Sequence, residues 1–414
     1  MAGGALVLAG ALSPLPVADA PPPPAASRYA ASSWALASGK ATYFHDLLNI
    51  ESAEATLIRD TDKLYSKGSR LASELGGPFE RMWGALTKSG DENALRVTYQ
   101  MGEHLRPLLM GLPRDAPIVA THCLVACVAV SCGFKKVVNL VIDNHAQWFV
   151  VVPGCLNLVQ GPSNYHAFLR MGVPPAELAL AGHWIPKDMV DNIAADCQAR
   201  IKRAKSAAAA KPRRLLVPVG GAGAQRKFIT KFVRALGGAV RDGSVQLLLN
   251  AGDHAHMRDA FQAALRAAGV DDYDTVDSID GVRAFCERLR GGLEPAKPVT
   301  LFAFADYFPA VATTDLLSRV ADVLCCKPSE LAFYPVPKLM IRRVGDHEAY
   351  SALRASELGD GTLEARELDD ALSYVKLFTG GHELLTMMNQ SIMRNATIGA
   401  YDGCKKAIEL AQSL

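Results

Sequence analysis

Lys327, Pro328, Ser329 and Glu330 stand in a row between two apolar runs, in ADVLCCKPSELAFYPVPKLMIRR (321–343). A chain reversal alone needs only Gly, Asn or Asp. A lysine, a hydroxyl and a carboxylate at the end of an apolar strand suit a ligand grip instead, because the ammonium attracts anions and the carboxylate accepts from ligand hydroxyls. After the next apolar run, RRVGDHEAY adds Asp346, His347 and Glu348. A third segment, LLVPVGGAGAQRKF, sets Gly220, Gly221, Gly223 and Gln225 between a predicted strand and a predicted helix. Glycines there let the backbone approach a phosphate, and the helix start offers unpaired N–H groups. The spacing is neither the dinucleotide fingerprint, since Arg226 stands where its third glycine belongs, nor a Walker loop. A plain strand-to-helix turn and a solvated charged loop are the competing readings of these segments.

A second group of reactive types closes another apolar run. IDNHAQWFVV carries Asp143, Asn144 and His145, a carboxylate and an imidazole that can act as general base and orienting partner. A turn with an Asx cap and a structural histidine explains the same residues. His122, in THCLVACVAV, sits at a predicted helix start and is expected to cap that helix rather than serve a substrate. The other histidines have no spacing that defines a partner.

The elements that must position these groups alternate along the chain. Apolar runs at 41–48, 117–122, 137–143, 155–161 and 178–182 predict strands, with helical patterns over 54–110, 123–132 and 163–172. The pattern repeats with strands at 213–219, 245–252, 299–305, 321–326 and 337–343, and with helices from Arg226 and through Met257 to Ala268. Buried strands alternating with helices predict an α/β fold of two Rossmann-like, doubly wound parallel-sheet domains, with ligands beyond the carboxyl ends of the strands. The basic, alanine-rich stretch 194–214 reads as a helix running into a linker. The predicted domains lie at 1–210 and 211–375, with helices at 376–414 packing back on both.

Bulk properties agree with an enzyme of this kind. A chain of 414 residues fits two domains, at about 100–200 residues each. Its formal net charge of +2 gives no nucleic-acid surface. No run reaches the roughly 18 apolar residues that span a bilayer. The nine cysteines form no CxxC pair and lie mostly in apolar runs, which predicts small buried hydrophobes in a reducing compartment, cytoplasmic or organellar. At the N-terminus, ALVLAGAL (5–12) reads as a first strand followed by a loop with Pro21–Pro24 and a helix from Ser27. A cleaved secretory or plastid-targeting segment is the alternative.

The order of these segments resembles the GT-B glycosyltransferases related to monogalactosyldiacylglycerol synthase and the peptidoglycan N-acetylglucosaminyltransferase. SNYHAFLRMGVPPAELALAGHWIPKDM (163–189) is similar to the segment closing their first domain, with His183–Trp184–Ile185–Pro186 at its "IPV" place. The glycine loop opens the second domain, Asp322, Val323 and Lys327 fit the "D-LVTK-G" signature, and Asp346, His347 and Glu348 echo a later one. The group's glycine-rich loop with a catalytic histidine is replaced by SPLPVADAPPPPAAS, so an altered or incomplete N-terminus, or a base elsewhere, is expected.

The resemblance implies a GT-B fold with a cleft between its domains and an inverting, metal-independent transfer from a nucleotide sugar, with UDP as the expected nucleotide. It implies no cofactor and an acceptor hydroxyl, lipid-borne if LRPLLMGLP (105–113) touches a membrane as a peripheral contact. Asp143 and His145 are then the catalytic pair. Gly220, Gly221, Gly223, Gln225, Lys327, Ser329, Glu330, His347 and Glu348 bind the donor. A nucleotide-sugar epimerase or hydrolase, or a catalytically silent binding protein, fits the same fold.

Overall fold

The computed structural model describes residues 92–206, 211–220 and 225–414. Ahead of these it describes 4–8, 33–34, 37–38 and 42–46, and single positions between 53 and 82. The expected loop at Pro21–Pro24, the helix from Ser27, Gly221 and Gly223 lie outside the described residues.

The chain folds as two α/β units, each with a six-stranded sheet. The first sheet has the order β2-β1-β3-β4-β5-β6, from Thr42–Asp46 (β2), Gly4–Leu8 (β1), Ile118–Ala120 (β3), Val137–Leu140 (β4), Leu156–Val159 (β5) and Leu178–Leu180 (β6). β3 to β6 run parallel, as the apolar runs predict, while β1 pairs antiparallel with both β2 and β3. The second sheet has the order β12-β11-β7-β8-β10-β9, from Lys338–Met340 (β12), Val323–Cys326 (β11), Arg213–Pro218 (β7), Val245–Gly252 (β8), Val299–Ala303 (β10) and Asp274–Val276 (β9). All its pairings are parallel.

β3, β4, β5, β7, β8, β10, β11 and β12 are buried almost without interruption, and β8 is buried along all eight residues, which is why they read as continuous apolar runs rather than alternating ones. In the second unit Leu215, Val217, Leu247 and Leu249 meet Phe232 and Phe261 of the flanking helices. In the first, the terminal helix Gly403–Ser413 lays Cys404, Ala407 and Ile408 against Val119, Val138 and Leu140. That helix starts where two backbones nearly touch. A Cβ at Gly403 would lie 2.5 Å from the Gly182 carbonyl oxygen and 2.6 Å from that of His183. Gly182 itself has φ +99 and the same crowding from Gly399 and Ala400. All nine cysteines are free and buried, as expected.

Two polar groups inside the first sheet have defined partners. Asn139 on β4 and Asn157 on β5 face each other across the ladder, with Asn139 Nδ2 donating to Asn157 Oδ1 at 2.9 Å. Asn157 also accepts from Val152 N at 2.9 Å and donates to Val152 O at 3.0 Å, fixing the loop between β4 and β5.

His122 caps the helix Cys123–Ser131, its Nδ1 accepting from Leu124 N at 3.2 Å. Burial lowers its pKa from 6.5 to about 4. The unfolded chain therefore takes the proton first as pH falls. Stability conferred by the neutral ring is complete above pH 6.5 and is lost on the way down to about pH 4. We expect about 3 kcal/mol of acid destabilisation across that window, which His122→Asn, keeping a cap acceptor, should remove. Parallel urea melts at several pH values would measure it. Equal pH dependence in both proteins would refute this role.

In the segment 105–113, Leu105, Leu109 and Leu112 are buried in the core, because the segment packs on the helix Cys123–Ser131, while Met110 is exposed. Among the described residues no helix is long and apolar enough to cross a membrane.

Candidate functional site

At the carboxyl edge of the second sheet, β12, β11 and β7 are neighbours, so the turns that follow them are brought together although their sequences are far apart. Gly220 follows β7 and Lys327 follows β11. A Cβ at Gly220 would lie 3.1 Å from Lys327 Cε, so the lysine stem lies directly over the glycine. Gln225 heads the helix Arg226–Ala235 with φ 70, the one non-glycine residue at positive φ among the described residues. Its buried side chain donates to the Arg342 carbonyl beyond β12, which ties the β7 turn to the β12 turn.

Lys327 is held from the other side by Glu348. The two form an ion pair, and the second carboxylate oxygen of Glu348 accepts from Val344 N at 2.8 Å and Gly345 N at 3.3 Å. Glu348 is buried, so it fixes the lysine and the β12 turn. Ser329 and Glu330 open a short 3-10 turn, Glu330–Phe333. Crowding by protein atoms pushes the Glu330 pKa up, while the Lys327 charge, its own backbone amide and the Ser329 hydroxyl together push it further down. Because Glu330 is exposed, the crowding counts for less, and its carboxyl is ionised below the usual range. His347 is half-buried beside this group, and its Nδ1 has no hydrogen-bond partner. Arg343 is spoken for by Glu364 at 2.5 Å and Asp346 at 3.0 Å.

Lys327 and Asp322, joined in one sequence signature, lie at opposite ends of β11. Asp322 is buried at the amino end, where it accepts from Arg214 N at 2.9 Å and pairs with Arg203 Nε at 3.3 Å. Glu294 bridges Arg203 and Arg214 at 2.5 and 2.7 Å. This network docks the helix Ile193–Lys205 on the second sheet, at the end of β11 opposite Lys327.

Sequence reasoning passed over Asn250, Asp253, His254 and His256, where β8 ends between β7 and β10. Asn250 donates to Thr314 Oγ1 at 2.9 Å and accepts from Gly252 N at 3.0 Å, and the His254 and His256 rings lie 5.5 Å apart. The signal was a lone Asn in LLLNAGDHAHM, which reads as an ordinary strand end.

In the first unit, Asp143, Asn144 and His145 follow β4, with Asp143 and His145 half-buried. Gln147 Nε2 reaches Asp143 Oδ2 at 3.4 Å. The loop is tied down by neighbours: Asn164 Nδ2 donates to Asn144 O at 2.9 Å, while Trp184 Nε1 and Gln160 Nε2 donate to Val141 O at 2.9 and 2.5 Å. His183, at the "IPV" place, is fully buried edge-on to Tyr401. The structure thus groups Gly220, Gln225, Lys327, Ser329, Glu330, His347 and Glu348 on one unit, and Asp143 with His145 on the other.

A family model described as Domain of unknown function (DUF6938) matches residues 173–412, and one described as Domain of unknown function (DUF6937) matches 27–170. No curated protein matches the sequence. Similar solved structures include a co-structure of S. aureus MnaA with UDP, at 10% identity over 76% of this chain and 77% of that chain, TM-score 0.48. A UDP-GlcNAc 2-epimerase from Neisseria meningitidis bound to UDP-GlcNAc is 12% identical over 78% and 82%, TM-score 0.42. A trehalose 6-phosphate synthase from Burkholderia multivorans is 13% identical over 77% and 76%, TM-score 0.40.

Proposed function

We propose, from the premise that this chain belongs to the family described as Domain of unknown function (DUF6938), that it is a glycosyltransferase which moves a sugar from a UDP-sugar to an acceptor hydroxyl. The observation that carries this reading is the convergence of Lys327 on Gly220 at the carboxyl edge of the second sheet, with ionised Glu330 one turn away. A cation over a glycine turn that leads into a helix suits a diphosphate. A carboxylate beside it suits the vicinal hydroxyls of a ribose.

On this reading Lys327 and the start of the helix Arg226–Ala235 stabilise charge on the leaving diphosphate, so transfer needs no metal. Glu348 holds Lys327 in place, and His347 lies within the same turn to meet the donor sugar. Asp143 takes the proton from the acceptor hydroxyl with His145 as its partner, and a single displacement inverts the anomeric centre.

Calorimetric titration with UDP tests the donor site. Saturable binding is expected, weakened by about 1.5–3 kcal/mol in Glu330→Ala, the scale of a lost hydrogen bond to a charged group. The circular dichroism of that variant should match the wild type. No heat with UDP at millimolar concentration would refute the reading, and unchanged affinity in Glu330→Ala would remove this residue from the site.

A further inference from the structure

Ser329 and Glu330 lie on the crossover that leaves β11 after Cys326 and enters β12 at Lys338. Hydrogen bonds within the crossover shape it without attaching it. Ser329 N donates to Lys327 O at 2.8 Å, Ala332 N to Ser329 O at 2.9 Å and Tyr334 N to Leu331 O at 3.2 Å. Side chains tie it to other elements on either side of Ser329 and Glu330. Before them, Lys327 pairs with Glu348. After them, Tyr334 Oη donates to Asp315 Oδ1 at 2.5 Å, the spacing of a hydroxyl on a carboxylate. Asp315 belongs to the helix Tyr307–Ser318, which links β10 to β11. That helix is itself pinned to the sheet, because buried Asn250 of β8 donates to Ala310 O at 3.1 Å and to Thr314 Oγ1 at 2.9 Å. Asp315 follows Thr314 directly, so the crossover is fastened to a fixed point.

This bond does little for the fold as a whole. Crowding by protein atoms raises the Asp315 carboxyl from 3.8 to about 6, although the Tyr334 hydroxyl pulls it down. The folded protein therefore takes this proton before the unfolded chain does. Stability from the carboxyl is complete below pH 3.8 and is gone above about 6, so ionised Asp315 is a burden at neutral pH. A leucine facing a phenylalanine would fill the same place without that burden. An apolar pair cannot, however, aim the crossover with a directed bond. On the reading of this edge as a UDP-sugar site, we infer that Asp315 is a positioning residue, setting through Tyr334 where Ser329 and Glu330 stand.

The full chain and four variants are titrated with UDP by calorimetry, and their thermal melting is followed in parallel. Tyr334→Phe and Asp315→Leu should each weaken UDP at least about tenfold, the loss of one charge-assisted hydrogen bond. Asp315→Asn keeps an oxygen that accepts from the hydroxyl and should stay within about threefold of the wild type. The double variant Asp315→Leu/Tyr334→Phe separates positioning from stability: its melting midpoint should hold or rise, while UDP stays as weak as in the single variants. Hydrogen exchange without nucleotide should be faster at Ser329, Ala332 and Tyr334 in Tyr334→Phe. Wild-type affinity in the double variant, or unchanged exchange in Tyr334→Phe, would overturn the role of Asp315 and leave the donor site standing. No heat with UDP in the wild type would instead remove the donor reading, and this role with it. Should Asp315→Leu fail to fold, Tyr334→Phe and the double variant decide.

Discussion

Lys338→Met is expected to lower the unfolding free energy by about 3–5 kcal/mol, the cost of leaving a buried charge without its partner. Lys338 and Asp360 are both wholly buried and pair at 2.8 Å. The ammonium also donates to Tyr334 O at 2.7 Å and Val336 O at 3.1 Å. Burial lowers the lysine's pKa while Asp360 opposes that shift. Removing Lys338 would therefore strand one carboxylate and two carbonyls at once. Those carbonyls belong to the segment that carries Ser329 and Glu330 into β12, so the same change should loosen that turn. The double variant Lys338→Met/Asp360→Leu removes both charges and should recover most of the loss, since a well-packed apolar replacement of a buried pair is often neutral. Urea titration of the three proteins is the measurement. A loss below about 1 kcal/mol in the single variant would mean that water or another cation reaches Asp360.

Asp143→Asn and His145→Ala should each reduce turnover at least a hundredfold while leaving UDP affinity nearly unchanged, the usual contribution of a general base being about a hundred- to ten-thousand-fold. Both follow β4, on a loop that Asn164, Gln160 and Trp184 hold by its carbonyls. Asparagine keeps the size of Asp143 and its contact with Gln147 while abolishing basicity, so a loss of rate with unchanged melting would identify proton transfer. The readout is single-turnover sugar transfer at saturating donor, with calorimetry for UDP. Near-normal turnover in both variants would place the base outside this loop.

Much of the fold was legible because strands buried on both faces must be apolar throughout, and all eleven expected strands are present. Asp274–Val276 was not legible: three residues, mostly exposed, at a sheet edge carry no apolar signal. The antiparallel direction of β1 was hidden as well, since an apolar run has no orientation until it pairs. For the site, turn composition pointed to Gly220, Lys327 and Glu330, because strand ends of a parallel sheet need no such residues for chain reversal. The part taken by Glu348 was not legible. A carboxylate in a polar turn looks available to a ligand, yet this one is buried under Val344 and Gly345 and spent on Lys327.

The sequence by itself determined the alternation of strands and helices, the two α/β units, the buried thiols and the helix cap at His122. Each of these follows from local periodicity or from the chemistry of adjacent residues. Only the tertiary structure decided which polar residues meet. Lys327 reaches Gly220 because β11 pairs with β7, and Asp322 is turned away because it lies at the other end of the same strand. Lys338 is neutralised by Asp360, and Asn144, Gln160 and Asn164 collect around one loop. Strand order and the direction of each side chain are set by which apolar faces pack best over the whole chain, and no local stretch of sequence carries that balance.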